Sequence, residues 1–198
     1  MKKFLIIATT NKGKLIEIRE ILKGIPYEIK SSAEFGFNSD IPEIGKTFKE
    51  NAQIKTVFVG RKTGMMTLAE DSGLEVDYLG GRPGIYSARY LSGTDQDRYN
   101  KILAELNGVP REKRQARFVC VAALFDPQKN KTFFYESESR GVITEKPYGK
   151  NGFGYDPIFY NLELKKTNAQ ASSAEKNRVS HRARALIKVK EFLLRHTP

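Results

Sequence analysis

Leu68-Ala69-Glu70-Asp71-Ser72-Gly73-Leu74 sets two adjacent carboxylates directly behind the apolar run Met65 to Ala69 and follows them with a hydroxyl and a glycine. The pattern predicts a buried strand that stops where the acids begin, so that the chain meets water at an active-site edge. A strand closed by a plain acidic turn fits the same residues. Paired carboxylates attract a hard cation such as Mg²⁺, which takes one or two protein carboxylates and fills its shell with waters and phosphate oxygens. Beyond them, Glu75-Val76-Asp77 predicts a short separate strand, and the Gly/Pro cluster Gly80 to Gly84 a constrained loop.

Upstream of this stretch, Phe4 to Ala8 reads as a buried strand and Thr9-Thr10-Asn11-Lys12-Gly13-Lys14 as the turn into a helix that carries Leu15, Ile18 and Leu22 on one face. A strand, a polar turn and a helix start form an anion site, because free backbone N–H groups and the positive end of the helix dipole face the ligand. Lys12 and Lys14 add charge, although a simple capped helix has the same sequence features. The turn is not a P-loop, since position 8 is not glycine and position 15 is neither Ser nor Thr. A strand is expected near Tyr27 to Lys30. Thr47-Phe48-Lys49-Glu50 has capping-box spacing and opens a helix expected to reach about Gly60. Lys55 falls on the apolar stripe of Phe48, Ala52 and Val59, where a lysine either snorkels to an edge or meets an anion.

Downstream, Thr94 caps a helix with Asp95 and Asp97 in its first turn and Tyr99, Ile102, Leu103 and Leu106 inward, stopping at Gly108 and Pro110. Arg117 to Phe125 and Lys131 to Ile143 read as two long strands joined at Asp126-Pro127, the first apolar on both faces and so central. Lys146 to Pro157 is a second special loop. Its three glycines allow close backbone approach, and Phe153 and Tyr155 offer flat faces on which a base can stack, though an aromatic glycine-rich turn needs no ligand. Ser172-x-x-Glu175 is a further capping box, expected to start one helix running to about Arg195 with Ala183, Leu186, Val189 and Leu193 inward. Lys176, Arg178, His181, Arg182 and Arg184 crowd its first turns and oppose the helix dipole, a conflict that a bound anion would remove. His181 is either a donor to that ligand or an ordinary surface residue, and His196 reads as the latter.

The chain has 198 residues, enough for one domain, and no repeat or linker marks a boundary within 1–198. Thirty-four Lys and Arg against 23 acids give +11, which favours a phosphate-bearing partner, polynucleotide or nucleotide. The one cysteine, Cys120, lies in an apolar run and reads as a buried thiol in a reducing cytoplasm. Nowhere do 18 apolar residues run together, so no membrane partner is expected.

Six stretches carry a resemblance: Thr9 to Lys14, Glu50-Asn51-Ala52, Glu70 to Leu74, Gly80 to Arg89, Gly152 to Asp156, and Ala174 to Arg182. In this order they resemble the inosine triphosphate pyrophosphatase family, enzymes that hydrolyse noncanonical purine nucleoside triphosphates of the inosine, deoxyinosine and xanthosine kinds. The resemblance implies an elongated α/β fold, a long mixed β-sheet flanked by helices in two lobes with a central cleft, in a homodimer. It implies cleavage between the α and β phosphates with Mg²⁺. By the same resemblance Asp71 is the base and a metal ligand, and Glu43 a second metal ligand. Thr9, Thr10, Asn11, Lys12, Gly13, Lys14, Lys55 and Arg89 would face the phosphates. Ser72, Phe153, Gly154, Tyr155, Asp156, Lys176, His181 and Arg182 would make the remaining nucleotide contacts. The family's Thr-Gly-Asn reads Thr9-Thr10-Asn11 here, and threonine disfavours a positive φ. Selection of a 6-oxo purine would use donors in the 153 to 182 region, which adenine would leave unpaired. A nucleic-acid-binding protein would explain the charge but not Glu43 and Glu70-Asp71, and a pyrophosphatase for pyrimidine triphosphates would differ in the base pocket.

Overall fold

A computed structural model describes residues 3–37, 41 and 43–196, so both ends of the expected 1–198 domain lie outside the described residues. Seven strands form one sheet: β1 (Phe4–Ile7), β2 (Glu28–Ser31), β3 (Thr67–Val76), β4 (Gln115–Asp126), β5 (Lys131–Ile143), β6 (Phe159–Asn161) and β7 (Lys166–Thr167). Their order is β2-β1-β3-β4-β5-β6-β7. The sheet is mixed, as expected: β1 runs parallel to β2 and β3, while β6 is antiparallel to β5 and β7. Five α-helices accompany it: α1 (Lys12–Ile21), α2 (Phe48–Thr63), α3 (Asp95–Glu105), α4 (Ser173–Val179) and α5 (His181–Arg195). The chain divides into two compact units, one of Met1–Asp71, Cys120–Ser137 and Arg182–Pro198, the other of Ser72–Val119 and Glu138–His181. The chain changes unit inside β3, β4 and β5 and again at the first residue of α5.

In the first unit, side chains alternate across the strands and fill both faces. Leu5, Ile7, Leu68 and Leu124 pack with Ile18 and Leu22 of the first helical segment and Ala185, Leu186, Val189 and Leu193 of α5. Ile6, Ala8 and Ala69 point the other way and meet Val59 of α2. In the second unit Leu74 and Val76 pack with Ile102 and Leu106, Phe118, Ile143 and Phe159. The inward faces expected for α1, α3 and α5 are thus the buried ones.

Four expectations need correction. β3 does not end at the acids: it continues through Glu70, Asp71, Ser72 and Gly73 to Val76 and absorbs the separate strand expected at 75–77. Carboxylates sit inside a central strand because basic side chains neutralise them there. The second helix passes Gly60 and ends at Gly64, which has a left-handed φ of 68°. Gly60 is glycine for packing, since a Cβ would lie 2.5 Å from the Phe125 ring. Thr47 caps α2 by accepting from the Glu50 N–H, but the Glu50 carboxylate reaches the Lys46 N–H at 2.6 Å rather than closing a box. Finally, the helix expected from Ser172 to Arg195 is broken at Ser180, whose ψ of 149° is extended. The break puts Lys176 and Arg178 in the last turn of α4, where the dipole favours cations, and leaves His181, Arg182 and Arg184 in the first turn of α5, where Glu70 and Glu17 meet the Arg182 charge.

Candidate active site

Glu70 and Asp71 are neighbours in a strand and therefore face opposite sides of the sheet. Glu70, fully buried, lies on the α1 and α5 side, with Lys14 Nζ and Arg182 Nε each 3.1 Å from its Oε1. The Cys120 thiol donates to Oε2 at 3.5 Å. Burial opposes the charge of Glu70, but the Arg182, Lys14 and Lys55 cations outweigh it and hold the carboxyl well below its usual range. The same burial and the Glu70 carboxylate push the Cys120 thiol up, which suits the buried, unreactive role expected of it. Arg182 is 2% exposed, and its NH1 also meets Glu17 Oε2 at 2.5 Å.

Asp71 lies on the α2 side. Lys55 Nζ donates to Asp71 Oδ1 at 3.0 Å and to Glu43 Oε1 at 2.8 Å, so one ammonium bridges two carboxylates. Lys55 does not snorkel; it is 6% exposed and meets anions that belong to the protein. Burial disfavours its charge, yet Asp71, Glu43 and Glu70 together raise its pKa. Burial also pushes Asp71 up, and Lys55 and Lys14 only partly offset that, because they are shared with the other acids. The result is a carboxylate more basic than usual beside a lysine that stays charged.

Next to this cluster, the 9–14 turn enters α1 with Asn11 as N-cap, its Oδ1 accepting from the Lys14 N–H at 3.0 Å. Thr9 Oγ1 accepts from the Asn11 N–H at 3.2 Å. Among the described residues only Asn130 and Lys165 are non-glycine with positive φ, so Thr10 is accommodated in ordinary backbone. Lys12 is exposed and Gly13 half-buried.

The second unit holds another constellation. Asp156, 3% exposed, accepts from the Phe153 N–H at 3.0 Å, from Asn168 Nδ2 at 3.1 Å and from Lys176 Nζ at 2.6 Å. Gly152, with φ 76°, must be glycine here, because a Cβ would come within 2.1 Å of Asp156 Oδ2. Lys176 Nζ also lies 4.9 Å from the Phe153 ring centroid. Of the two aromatics, Phe153 is half-buried, whereas Tyr155 is 4% exposed, packed in the core, and donates to the Ser87 carbonyl at 2.8 Å. Only Phe153 has a face to offer a base. Gly154 donates its N–H to Asp95 Oδ2 at 2.8 Å. His181 is 4% exposed and stacks on Phe118 at 4.7 Å between centroids, so it is not the surface residue that one reading allowed. Ser72 is half-buried in β3, and Arg89 is exposed, 5.2 Å over the Tyr86 ring.

In the first unit Asp71, Glu43 and Lys55 therefore meet on one face of β3 while Lys14 and Arg182 meet Glu70 on the other; in the second Phe153, Gly154, Asp156 and Lys176 form one constellation, and His181 lies against Phe118. Four participants have no site role assigned from the sequence. Asn51 donates from Nδ2 to Asp71 Oδ2 at 3.3 Å while its Oδ1 accepts from the Gly45 N–H at 2.8 Å. It sits four residues before Lys55 on the same helix face, a spacing that could have flagged it. Glu17, Asp95 and Asn168 act on partners 59 to 165 residues away or across a loop, and no local pattern announces them.

The Ham1 family model matches residues 5–192 of this chain. A dITP/XTP pyrophosphatase of Bacillus licheniformis is 48% identical over 194 residues, spanning 96% of this chain and 98% of the relative. The dITP/XTP pyrophosphatase of Bacillus subtilis is 48% identical over 191 residues, spanning 95% and 96%. The solved structure of a HAM1 protein from Coxiella burnetii superposes with a TM-score of 0.88 at 38% identity, covering 98% of both chains. That of a nucleoside-triphosphatase / dITP/XTP pyrophosphatase from Mycobacterium abscessus gives 0.76 at 38% identity, covering 96% of this chain and 98% of the other.

Proposed function

The chain belongs to the Ham1 family, and from that premise we propose that it hydrolyses noncanonical purine nucleoside triphosphates, ITP, dITP and XTP, to the monophosphate and pyrophosphate. The observation that carries the reading is the Lys55 ammonium held 2.8 Å from Glu43 and 3.0 Å from Asp71, beside a helix start that adds Lys14. Water attacking between the α and β phosphates must lose a proton while negative charge grows on the phosphate oxygens. Asp71, pushed up by burial, takes the proton. Lys55, whose charge its acidic neighbours secure, and Lys14 stabilise the oxygens.

Mg²⁺ is part of the same proposal. The carboxylates of Glu43 and Asp71 already converge on one cationic group, and oxygen donors suit a hard cation that takes one or two protein carboxylates. No group of three His, Cys, Asp or Glu side chains able to hold a metal exists among the described residues, so the triphosphate would have to complete the shell. Glu43 and Asp71 would hold the ion, which when bound neutralises phosphate charge. No helix among the described residues is long and apolar enough to cross a membrane. A homodimer in a cytoplasm completes the proposal, resting on the family resemblance and the buried free thiol of Cys120. Pyrophosphate release measured across a panel of purine and pyrimidine triphosphates, with and without Mg²⁺, tests it. Turnover is expected for ITP, dITP and XTP, with Mg²⁺ only. Equal turnover of ATP, or none of ITP, would overturn the reading.

A further inference from the structure

A cavity of about 490 Å³ opens in the second unit, lined by Arg111, Arg114, Lys165 and Lys166, by one carboxylate, Glu145, and by Tyr148 and Tyr160 among others. Its size lies in the roughly 300–1,000 Å³ range of small-molecule sites. None of these residues belongs to the constellations described above. Lys166 is committed to Glu175 at 2.7 Å, but the other cations are poorly compensated. Arg114 is 4% exposed, and its guanidinium is held by the carbonyl oxygens of Ile143, Thr144, Leu106 and Val109 at 2.8 to 3.4 Å, which satisfy its N–H groups without cancelling its charge. Burial accordingly pulls its pKa down, with Glu145 the only opposing charge. Arg111 lies 5.6 Å over the Tyr160 ring. Lys165 closes the turn between β6 and β7 with a φ of 54°, its N–H donating to the Asn161 carbonyl at 2.9 Å, which fixes where its side chain leaves the backbone.

The cavity also shares a wall with the loop that carries Phe153. Thr167 and Gln170 line the cavity. Between them, Asn168 holds Asp156 at 3.1 Å, and the Ala169 carbonyl accepts from the Lys150 and Asn151 N–H groups at 3.1 and 3.0 Å. An occupant touching 167–170 therefore bears on the backbone of residues 150–156.

We propose that this cavity binds a nucleoside monophosphate at a site separate from the triphosphate site, with Arg111 and Lys165 meeting the phosphate, the buried Arg114 adding its uncancelled charge from behind them, and the tyrosines meeting the base, and that the bound nucleotide stiffens the 150–156 loop. The binding stands on the cavity itself; that the ligand is also the reaction product, making this a feedback site, rests on the proposed function. Isothermal titration of the full chain with inosine monophosphate tests the binding without turnover. The Arg111→Ala/Lys165→Ala protein is expected to bind one equivalent fewer than wild type, or to bind that equivalent roughly tenfold or more weakly. Both residues are exposed, and unchanged kcat for ITP checks that the variant is folded; Arg111→Gln alone replaces it should kcat fall. Identical stoichiometry and affinity in wild type and variant overturn the site. Inorganic phosphate binding the cavity as tightly as the nucleotide overturns the assignment to a nucleotide. If wild type releases no pyrophosphate from any triphosphate, the proposed function fails while the titration still decides the cavity.

Discussion

The acid-base cluster of the first unit and the Phe153 loop of the second use similar residues in opposite ways. In the first, Glu70, Asp71, Lys55 and Arg182 project from the regular elements β3, α2 and α5, and every charge is buried against opposite charges. In the second, a loop with two left-handed glycines is pinned by Asp156, Lys176, Asn168 and Asp95, and its aromatic ring stays half-exposed. Breaking one partner out of a buried ion pair costs about 3–5 kcal/mol, which applies to Asp156–Lys176 under the loop as it does to the first cluster, while the Asp95 hydrogen bond to the loop backbone contributes about 1 kcal/mol. The first arrangement fixes positions to the tolerance that proton transfer needs; the second fixes a surface against which a base can lie. Chemistry and base contact should therefore respond to substitution in different currencies, kcat in the first unit and KM in the second.

The largest effect expected is from Asp71→Asn, which keeps the shape and removes the base. The kcat for ITP should fall by roughly 10²–10⁴ with the circular dichroism spectrum unchanged. A folded Asp71→Asn protein with wild-type kcat would erase the distinction between the two regions.

Arg182→Met comes next and sharpens the comparison, because the family resemblance assigns Arg182 to the nucleotide while its Nε and NH1 meet Glu70 and Glu17. Leaving two carboxylates buried without it should destabilise the protein by about 3–5 kcal/mol in urea unfolding. Unchanged stability together with lost discrimination of ITP from ATP would return Arg182 to base recognition.

Phe153→Leu should raise KM for all purine triphosphates by a similar factor, about 1–3 kcal/mol in kcat/KM, since every base has a face to stack. Tyr155→Phe, by contrast, loses only the hydroxyl bond to the Ser87 carbonyl and should lower the melting temperature with little change in KM. If Tyr155→Phe proved the kinetic variant and Phe153→Leu the silent one, the assignment of the stacking face would be reversed.

The smallest effect expected is from Asp95→Ala. Losing its bond to the Gly154 N–H should raise KM a few-fold, about 1 kcal/mol, at unchanged kcat, and Asp95→Asn, which keeps an acceptor, should recover most of it. A fall in kcat without a change in KM would mean that the loop serves chemistry rather than the base.

Much of this molecule is determined locally. The strand of Phe4 to Ile7, the Asn11 and Thr94 caps, the long strands on either side of Pro127, and the buried Leu186, Val189 and Leu193 face follow from periodicity and capping chemistry. So do the presence of a special acidic pair at 70–71 and of a tight aromatic loop at 152–156. What periodicity could not decide was whether β3 stops at Glu70, since acids end a strand only when nothing neutralises them. Lys14, Lys55 and Arg182, from 16 to 112 residues away from the acids they meet, do neutralise them, and the strand continues. The same holds for Lys55, whose stripe position fits snorkelling or anion binding until Asp71 and Glu43 are placed beside its ammonium. It holds for Ser180, an unremarkable helix residue by propensity, where the chain nevertheless turns extended between α4 and α5. Local sequence fixes where turns and faces can form, because those depend on neighbours a few residues away. Whether a buried charge is tolerated depends on partners brought from elsewhere in the chain, and only the tertiary structure supplies them.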